Sequence, residues 1–203
     1  MEPHQESGWW VCGPNEVSKW LEKAGMLRNG ILPLLRGRGL MVDVGANIGI
    51  YTKAFIQDFD RIVAFEPFFE NRDCFSMNVT DPKVSLEPYA LDYQPGRFGM
   101  TGNKNISKHL CAGDTVEART LDSFGLSPDF VKIDAEGFDL RVLVGAKDTL
   151  EKYRPVVLVE NKPGAEGHHP AWYHYGQIDA FMESIGARLV KTIKPDEIYI
   201  WLT

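Results

Sequence analysis

The sequence predicts a single α/β domain built on a doubly wound, mostly parallel sheet of seven strands, the last of them antiparallel. Three observations predict it. From Leu40 onward, short apolar runs alternate with segments whose apolar residues recur at helical spacing, the pattern of helices layered on a parallel sheet. The first of those runs ends in the glycine-punctuated turn Gly45-Ala46-Asn47-Ile48-Gly49. The chain closes on two apolar runs joined tightly around Lys194-Pro195-Asp196, and a tight hairpin joins only antiparallel strands. No repeat, low-complexity tract or linker-like shift divides residues 1–203, so they read as one domain: an N-terminal helical segment over 1–39 and a core over 40–203.

Within the N-terminal segment, Glu16 to Met26 places Val17, Trp20, Leu21 and Ala24 on one helical face, and Ile31 to Leu35 is a short apolar stretch before the loop Arg36-Gly37-Arg38-Gly39. Trp9 and Trp10 precede this helix as a candidate lid. Leu40 to Val44 is apolar on both sides, as a buried parallel strand is, and a helix from Ile50 to Phe59 follows it. Arg61 to Phe65 is the second strand and ends at Glu66-Pro67; the next helix, Phe68 to Val79, buries Phe68, Phe75 and Val79. Val84 to Ala90 is the third strand. From Asp92 to Arg119 the period breaks around Gly96, Gly99, Gly102, Asn103, Asn105 and Gly113, which predicts short antiparallel strands or an excursion at the strand ends. Asp129 to Ile133 resumes the sheet and runs into Asp134-Ala135-Glu136-Gly137. A helix from Phe138 to Tyr153 repeats Phe138, Val142, Ala146 and Leu150 every four residues. Pro155 to Val159 is the fifth strand. A helix from Trp172 to Ile185 ends at Gly186, and Ala187 to Ile193 and Ile198 to Leu202 complete the sheet.

Composition narrows the function. The formal net charge is −6 and the 22 Lys and Arg are scattered, which argues against a nucleic-acid partner. No apolar run approaches the ~20 residues of a membrane span. The N-terminus has neither a basic nor an apolar leader region. Three cysteines, Cys12, Cys74 and Cys111, lie far apart without CxxC pairing and read as reduced thiols of a cytoplasmic protein.

In an open α/β sheet, ligands bind beyond the carboxyl ends of the strands. Gly45 lets the backbone turn sharply there and Gly49 allows close packing. Glu66 ends the second strand 23 residues after Asp43, near the ~20-residue spacing at which a carboxylate grips ribose hydroxyls. That leaves dinucleotides and S-adenosylmethionine. Gly45-x-x-x-Gly49 is not G-x-G-x-x-G, and Asp43 suits a cationic ligand better than a pyrophosphate, so S-adenosylmethionine is favoured.

Four motifs in order, Val42-Asp43-Val44-Gly45-Ala46-Asn47-Ile48-Gly49-Ile50-Tyr51-Thr52, Ala64-Phe65-Glu66-Pro67, Ala118-Arg119-Thr120-Leu121-Asp122-Ser123 and Val131-Lys132-Ile133-Asp134-Ala135-Glu136-Gly137, resemble those of the FkbM-type methyltransferase family from about Gly39 to Glu160. The resemblance implies a class I methyltransferase fold, a Rossmann-like three-layer sandwich. It also implies S-adenosylmethionine as donor and O-methylation of a sugar or small metabolite. It puts Asp43, Gly45 and Glu66 on donor-binding positions, flanked by Asn47, Gly49, Pro67 and Phe68, with Asp92 near the adenine. The first forty residues and the tail after Glu160 match less well and are expected to shape acceptor choice.

Candidate catalytic groups follow the fourth and fifth strands. Asp134 or Glu136 can orient or deprotonate an acceptor hydroxyl, although Glu136 equally suits the acidic first turn of the next helix. Alternatively, Asp134 with Glu160 and Asn161 holds a divalent cation such as Mg²⁺, by hard oxygen ligands. His168 and His169, in Gly164-Ala165-Glu166-Gly167-His168-His169-Pro170, are further candidate bases. Trp172-Tyr173-His174-Tyr175 is a candidate acceptor wall. The competing readings are a nicotinamide-dependent oxidoreductase, which would want G-x-G-x-x-G without Asp43, and a non-catalytic S-adenosylmethionine-binding protein.

Overall fold

The computed structural model describes residues 3–12, 16–101, 109–161 and 176–202. The chain enters through a hairpin, β1 (His4–Glu6) and β2 (Trp9–Val11), followed by α1 (Val17–Ile31) and a 3-10 turn at Leu32–Leu34. Then come β3 (Leu40–Val44), α2 (Ile50–Phe55), β4 (Arg61–Phe65), α3 (Phe69–Asn78) and β5 (Val84–Glu87). An excursion of β6 (Ala90–Leu91), β7 (Gly96–Thr101) and β8 (His109–Arg119) leads to a 3-10 turn at Leu121–Phe124. The core resumes with β9 (Phe130–Ile133), α4 (Asp139–Val144), α5 (Lys147–Tyr153) and β10 (Val156–Glu160). It ends with α6 (Gln177–Ser184), β11 (Arg188–Ile193) and β12 (Asp196–Ile200).

Seven strands form the main sheet in the order β11-β12-β10-β9-β3-β4-β5. All neighbours pair in parallel except β12, which is antiparallel to both β10 and β11. The excursion forms its own three-stranded sheet, β6-β8-β7. The apolar runs explain the layering. Strands β3, β9 and β10 are buried along their whole length, so alternate side chains feed two cores. Val42, Val44, Val131, Ile133, Val157 and Val159 pack with Val142, Leu143, Leu150, Ile178 and Met182 of α4, α5 and α6. Met41, Ile62, Phe130, Leu158 and Ile198 pack on the opposite face with Leu27 and Ile31 of α1 and Phe55 of α2. Each such side chain, fully buried, stabilises the fold by roughly 1.5–3 kcal/mol.

Several boundaries differ from the sequence expectation. Helix α1 runs five residues past Met26, through Gly25 and Gly30, because Ala24, Leu27 and Ile31 are completely buried. The third strand stops at Glu87, and Ala90–Leu91 joins the small sheet instead. The helix expected over 138–153 is two helices. It breaks at Gly145, where a Cβ would overlap the Asp92 carbonyl oxygen and where the carbonyl accepts Asp122 N–H (3.1 Å). The Trp172–Tyr175 stretch lies outside the described residues.

The thiol reading is corrected. Cys12 and Cys74, 62 residues apart, form a disulfide between the segment after β2 and helix α3, and Cys111 takes no part in it. Pairing follows proximity in the fold, which sequence spacing does not report. The argument for a cytoplasmic setting from reduced thiols therefore falls. Among the described residues no helix is long and apolar enough to cross a membrane.

Candidate active site

The chain lays β4 and β5 on one side of β3, then returns to place β9 on the other. The carboxyl ends of β3 and β9, where Val44 pairs with Ile133, are thus the switch point at which α/β sheets bind ligands. The turn after β3 is tied to β4: Gly45 N–H and Ala46 N–H both donate to the Phe65 carbonyl at 3.0 Å. Gly45 has φ +70° and Asn47 has φ +50°. A Cβ on Gly45 would overlap the Asp134 carbonyl oxygen, so this turn and the one after β9 lie in direct contact. Gly49 (φ +92°) serves packing, since a Cβ there would stand 2.7 Å from Val79 and 3.0 Å from the Phe75 ring on α3.

Glu66 directly follows β4 and is 5 % exposed. Its Oε2 accepts Asn47 N–H (2.8 Å) and its Oε1 accepts Phe68 N–H (2.9 Å) and the Asn71 amide (3.3 Å). Burial pushes its pKa up, and the bonds from Phe68, Asn47 and Asn71 pull it back. Each carboxylate oxygen has two acceptor sites, so Oε2 keeps capacity beyond the bond that fixes it. Asn47 Oδ1, beside it on the turn, is buried without a hydrogen-bond partner among the described residues. Pro67 and Phe68 are half-buried, and the Phe68 ring lies 5.5 Å from exposed Phe69. Behind the turn, Asn78 ties three segments, donating to the Trp10 and Ile48 carbonyls (both 2.9 Å) and accepting Trp10 N–H (2.8 Å). The Trp9–Trp10 segment thus packs against the back of the turn, with Trp9 buried among Ile48, Ile50 and Cys74.

Asp43 is fully buried and already has a cation. Lys132 of β9, 3 % exposed, sets Nζ 3.2 Å from Asp43 Oδ1 and donates to the Val44 (3.1 Å) and Gly45 (2.9 Å) carbonyls, while Thr52 donates to Asp43 Oδ2 (2.7 Å). Burial lowers the Lys132 pKa, but Asp43 and Asp134 outweigh it and the net direction is up. The sequence reading matched Asp43 to a cationic ligand; the cation this structure gives it is Lys132. A lysine inside the apolar run Phe130-Val131-Lys132-Ile133 was the available signal, because a lysine is almost never fully buried unpaired.

After β9, Asp134 and Glu136 are half-buried in a turn with Glu136 at φ +51° and Gly137 at φ +92°. Asp139, the first residue of α4, holds this turn, accepting Ala135 N–H (2.8 Å) and Gly137 N–H (3.0 Å). Asp139 is 2 % exposed, and burial followed by the charge of Asp134 pushes it up to about 6.

Because β12 is antiparallel, its first residues join this edge: Asp196 pairs with Glu160 and Glu197 with Val159. Lys23 of α1 forms an ion pair with Asp196 at 2.6 Å. Asn161 donates its amide to Glu197 Oε2 (2.7 Å), and the buried Tyr199 hydroxyl stands 2.7 Å from Glu197 Oε2 and 2.6 Å from Asp179 Oδ1. Burial first, then Asp196, Asp134, Asp43 and Glu160, raise the pKa of Tyr51. The charges of Asp196, Asp134, Asp43 and Glu160 thus converge on Tyr51, and the sequence reading had singled out the last three. Among the described residues no three His, Cys, Asp or Glu side chains stand where they could hold a metal ion. The set Asp134, Glu160, Asn161 therefore gains no support from the geometry.

Asp92 directly follows β6 in the excursion. It is fully buried, and its two oxygens each take a bond of 2.5 Å from Arg141 of α4. The guanidinium also stacks near Tyr93 (4.6 Å) and Phe138 (5.1 Å). This pair ties the excursion to α4. His168 and His169 lie outside the described residues.

No curated protein matches the chain. The fold is similar to that of an FkbM methyltransferase from Methylobacillus flagellatus KT (TM-score 0.56, 18% identity), over 84% of this chain and 46% of that one. The chain thus spans about half the length of that protein. It is also similar to an S-adenosylmethionine-bound amino pentose methyltransferase from Micromonospora echinaspora (TM-score 0.53, 13% identity, 97% and 98% covered). An rRNA methylase from Streptococcus thermophilus shares the fold too (TM-score 0.51, 13% identity, 88% and 95% covered). These likenesses establish the class I methyltransferase fold. The Methyltransferase FkbM domain family matches residues 43–189, from the buried aspartate of β3 into β11, and this chain belongs to that family.

Proposed function

We propose that this chain binds S-adenosylmethionine where β3 and β4 end and transfers its methyl group to a hydroxyl of a small acceptor, a sugar or metabolite. The observation that carries the reading is the Glu66 carboxylate, buried, fixed by Asn47 and Phe68 N–H groups and still able to accept. It has the chemistry to hold two ribose hydroxyls. The orphaned Asn47 Oδ1 is a second acceptor on the same turn and fits a donor with hydroxyl and ammonium protons. When bound, S-adenosylmethionine supplies a methyl group already activated on a sulfonium. The protein's own residues then have two tasks. Glu66 and the Gly45–Gly49 turn orient the donor, and Asp134, half-buried and in backbone contact with Gly45, takes the proton of the acceptor hydroxyl. His168 and His169 are the alternative bases. The net charge of −6 favours a small acceptor over a nucleic acid.

The test is transfer of labelled methyl from S-adenosylmethionine to a panel of sugars and hydroxylated small molecules. Asp134→Asn is expected to bind S-adenosylhomocysteine normally and to lose turnover by roughly 10²-fold, the usual worth of general-base help. Turnover indifferent to a chelator is expected; turnover lost with chelator and restored by Mg²⁺ would establish the metal mechanism instead. A fully active Asp134→Asn enzyme removes Asp134 from the chemistry.

A further inference from the structure

A side chain outside the motif residues first singled out shapes the turn on which the proposed chemistry depends. The turn Asp134-Ala135-Glu136-Gly137 joins β9 to α4 and abuts the Gly45 turn. It is conformationally unfavourable on its own, since Glu136 has φ +51°, a region a non-glycine residue with a long side chain rarely adopts. Such a conformation persists only when its surroundings over-determine it. Asp139 supplies that constraint: one oxygen takes Ala135 N–H and the other takes Gly137 N–H, bracketing Glu136. Both bonds come from one carboxylate that is 2 % exposed, so water does not compete for them. On the far side, the Asp134 carbonyl abuts Gly45, and Asp134 N–H donates to the Val44 carbonyl (3.2 Å). The turn is therefore held at both ends, by the donor loop and by Asp139.

We infer that Asp139 is a positioning residue of the transfer site: its buried carboxylate fixes the 134–137 turn and so aims Asp134 beside the donor loop. This rests on the proposed role of Asp134. Two further facts fit. The ionised form of Asp139 is disfavoured where it sits, by burial and by Asp134. Ionisable groups perturbed in this way cluster at functional sites. The bonded partners are also both main-chain N–H groups of the turn itself, so the carboxylate controls local shape rather than joining distant elements.

Asp139→Asn separates a positioning role from a structural one. Asparagine keeps one acceptor, turns an NH₂ toward the other N–H, and removes the buried charge. The expected result has four parts: a melting temperature no lower than that of the wild type, amide exchange at Ala135 or Gly137 at least tenfold faster, turnover down about tenfold or more, and S-adenosylhomocysteine affinity within threefold. Asp139→Ser, which is smaller but still an acceptor, is the second variant and should show the same pattern. Unchanged exchange at both amides overturns the inference, as does a loss of turnover matched by a loss of folded protein. If neither variant folds, Asp139 is structural and the inference fails. Should the wild type transfer methyl to no acceptor, the functional reading falls by itself, and the exchange data still decide whether Asp139 shapes the turn.

Discussion

The buried ionisable residues around the switch point differ in how their charge is met, and the difference sets their behaviour. Lys132 and Asp43 neutralise each other inside the sheet, with Thr52 and two main-chain carbonyls completing the set. Removing one partner of such a pair leaves a buried charge alone, which is far worse than never having the pair. Glu66 is met by N–H groups, without a cation in hydrogen-bonding contact among the described residues. Asp139 is met by two N–H groups and faces the like charge of Asp134. Its carboxyl is raised from 3.8 to about 6, so the folded protein holds this proton more tightly than the unfolded chain. Its contribution to stability is therefore fully present below about pH 4 and lost as pH rises through about 6. The size is on the order of 3 kcal/mol at most, at about 1.4 kcal/mol per pKa unit. Denaturant unfolding of wild type and Asp139→Asn between pH 4.5 and 7.5 checks this. The wild type should lose stability over that window relative to the variant, and parallel curves would show that Asp139 does not titrate there.

At the scale of elements, the disulfide joins two pieces that sequence patterning treats as unrelated. Cys12 follows the N-terminal hairpin, and Cys74 lies in α3, which begins three residues after Glu66. The same junction carries the Asn78 bonds to Trp10 and the apolar cluster of Trp9, Val11, Ile48 and Ile50. Closing a 62-residue separation is worth about 4 kcal/mol in the chain-entropy account, and often less in practice. Reduction, or Cys12→Ser, should thus lower the unfolding free energy by about one to a few kcal/mol, read as a lower denaturant midpoint. An unchanged midpoint under reducing conditions would mean that the bond does not form in solution. Helix periodicity located the elements around this junction but not their joints. The break between α4 and α5 depends on Asp92, 53 positions before Gly145, and a four-residue repeat that runs smoothly through the break carries no trace of it.

Over the whole molecule, what could be read from the sequence was what local pattern encodes. The seven strands, the antiparallel end and the excursion after the third strand follow from runs of apolar residues and from where glycine and proline interrupt them. The strand-end positions of the proposed donor site were legible for the same reason: Asp43, Gly45, Asn47 and Glu66 lie where the apolar runs of β3 and β4 end. Its partnerships were not. Lys132 meets Asp43 across 89 positions, Arg141 meets Asp92 across 49, and β12 brings Asp196 and Glu197 to the edge only because it runs antiparallel. Those pairings give Asp43 an ion partner inside the sheet, and the donor reading stands most directly on Glu66. Titration calorimetry of the wild type and Glu66→Gln with S-adenosylhomocysteine, and of the wild type with NAD, is the direct test. The account predicts that the wild type binds S-adenosylhomocysteine and not NAD. It also predicts that Glu66→Gln stays folded and loses about 1–3 kcal/mol of that binding, the worth of hydrogen bonds to a charged group. Tight NAD binding with no response to S-adenosylhomocysteine, or undiminished affinity in folded Glu66→Gln, would contradict it.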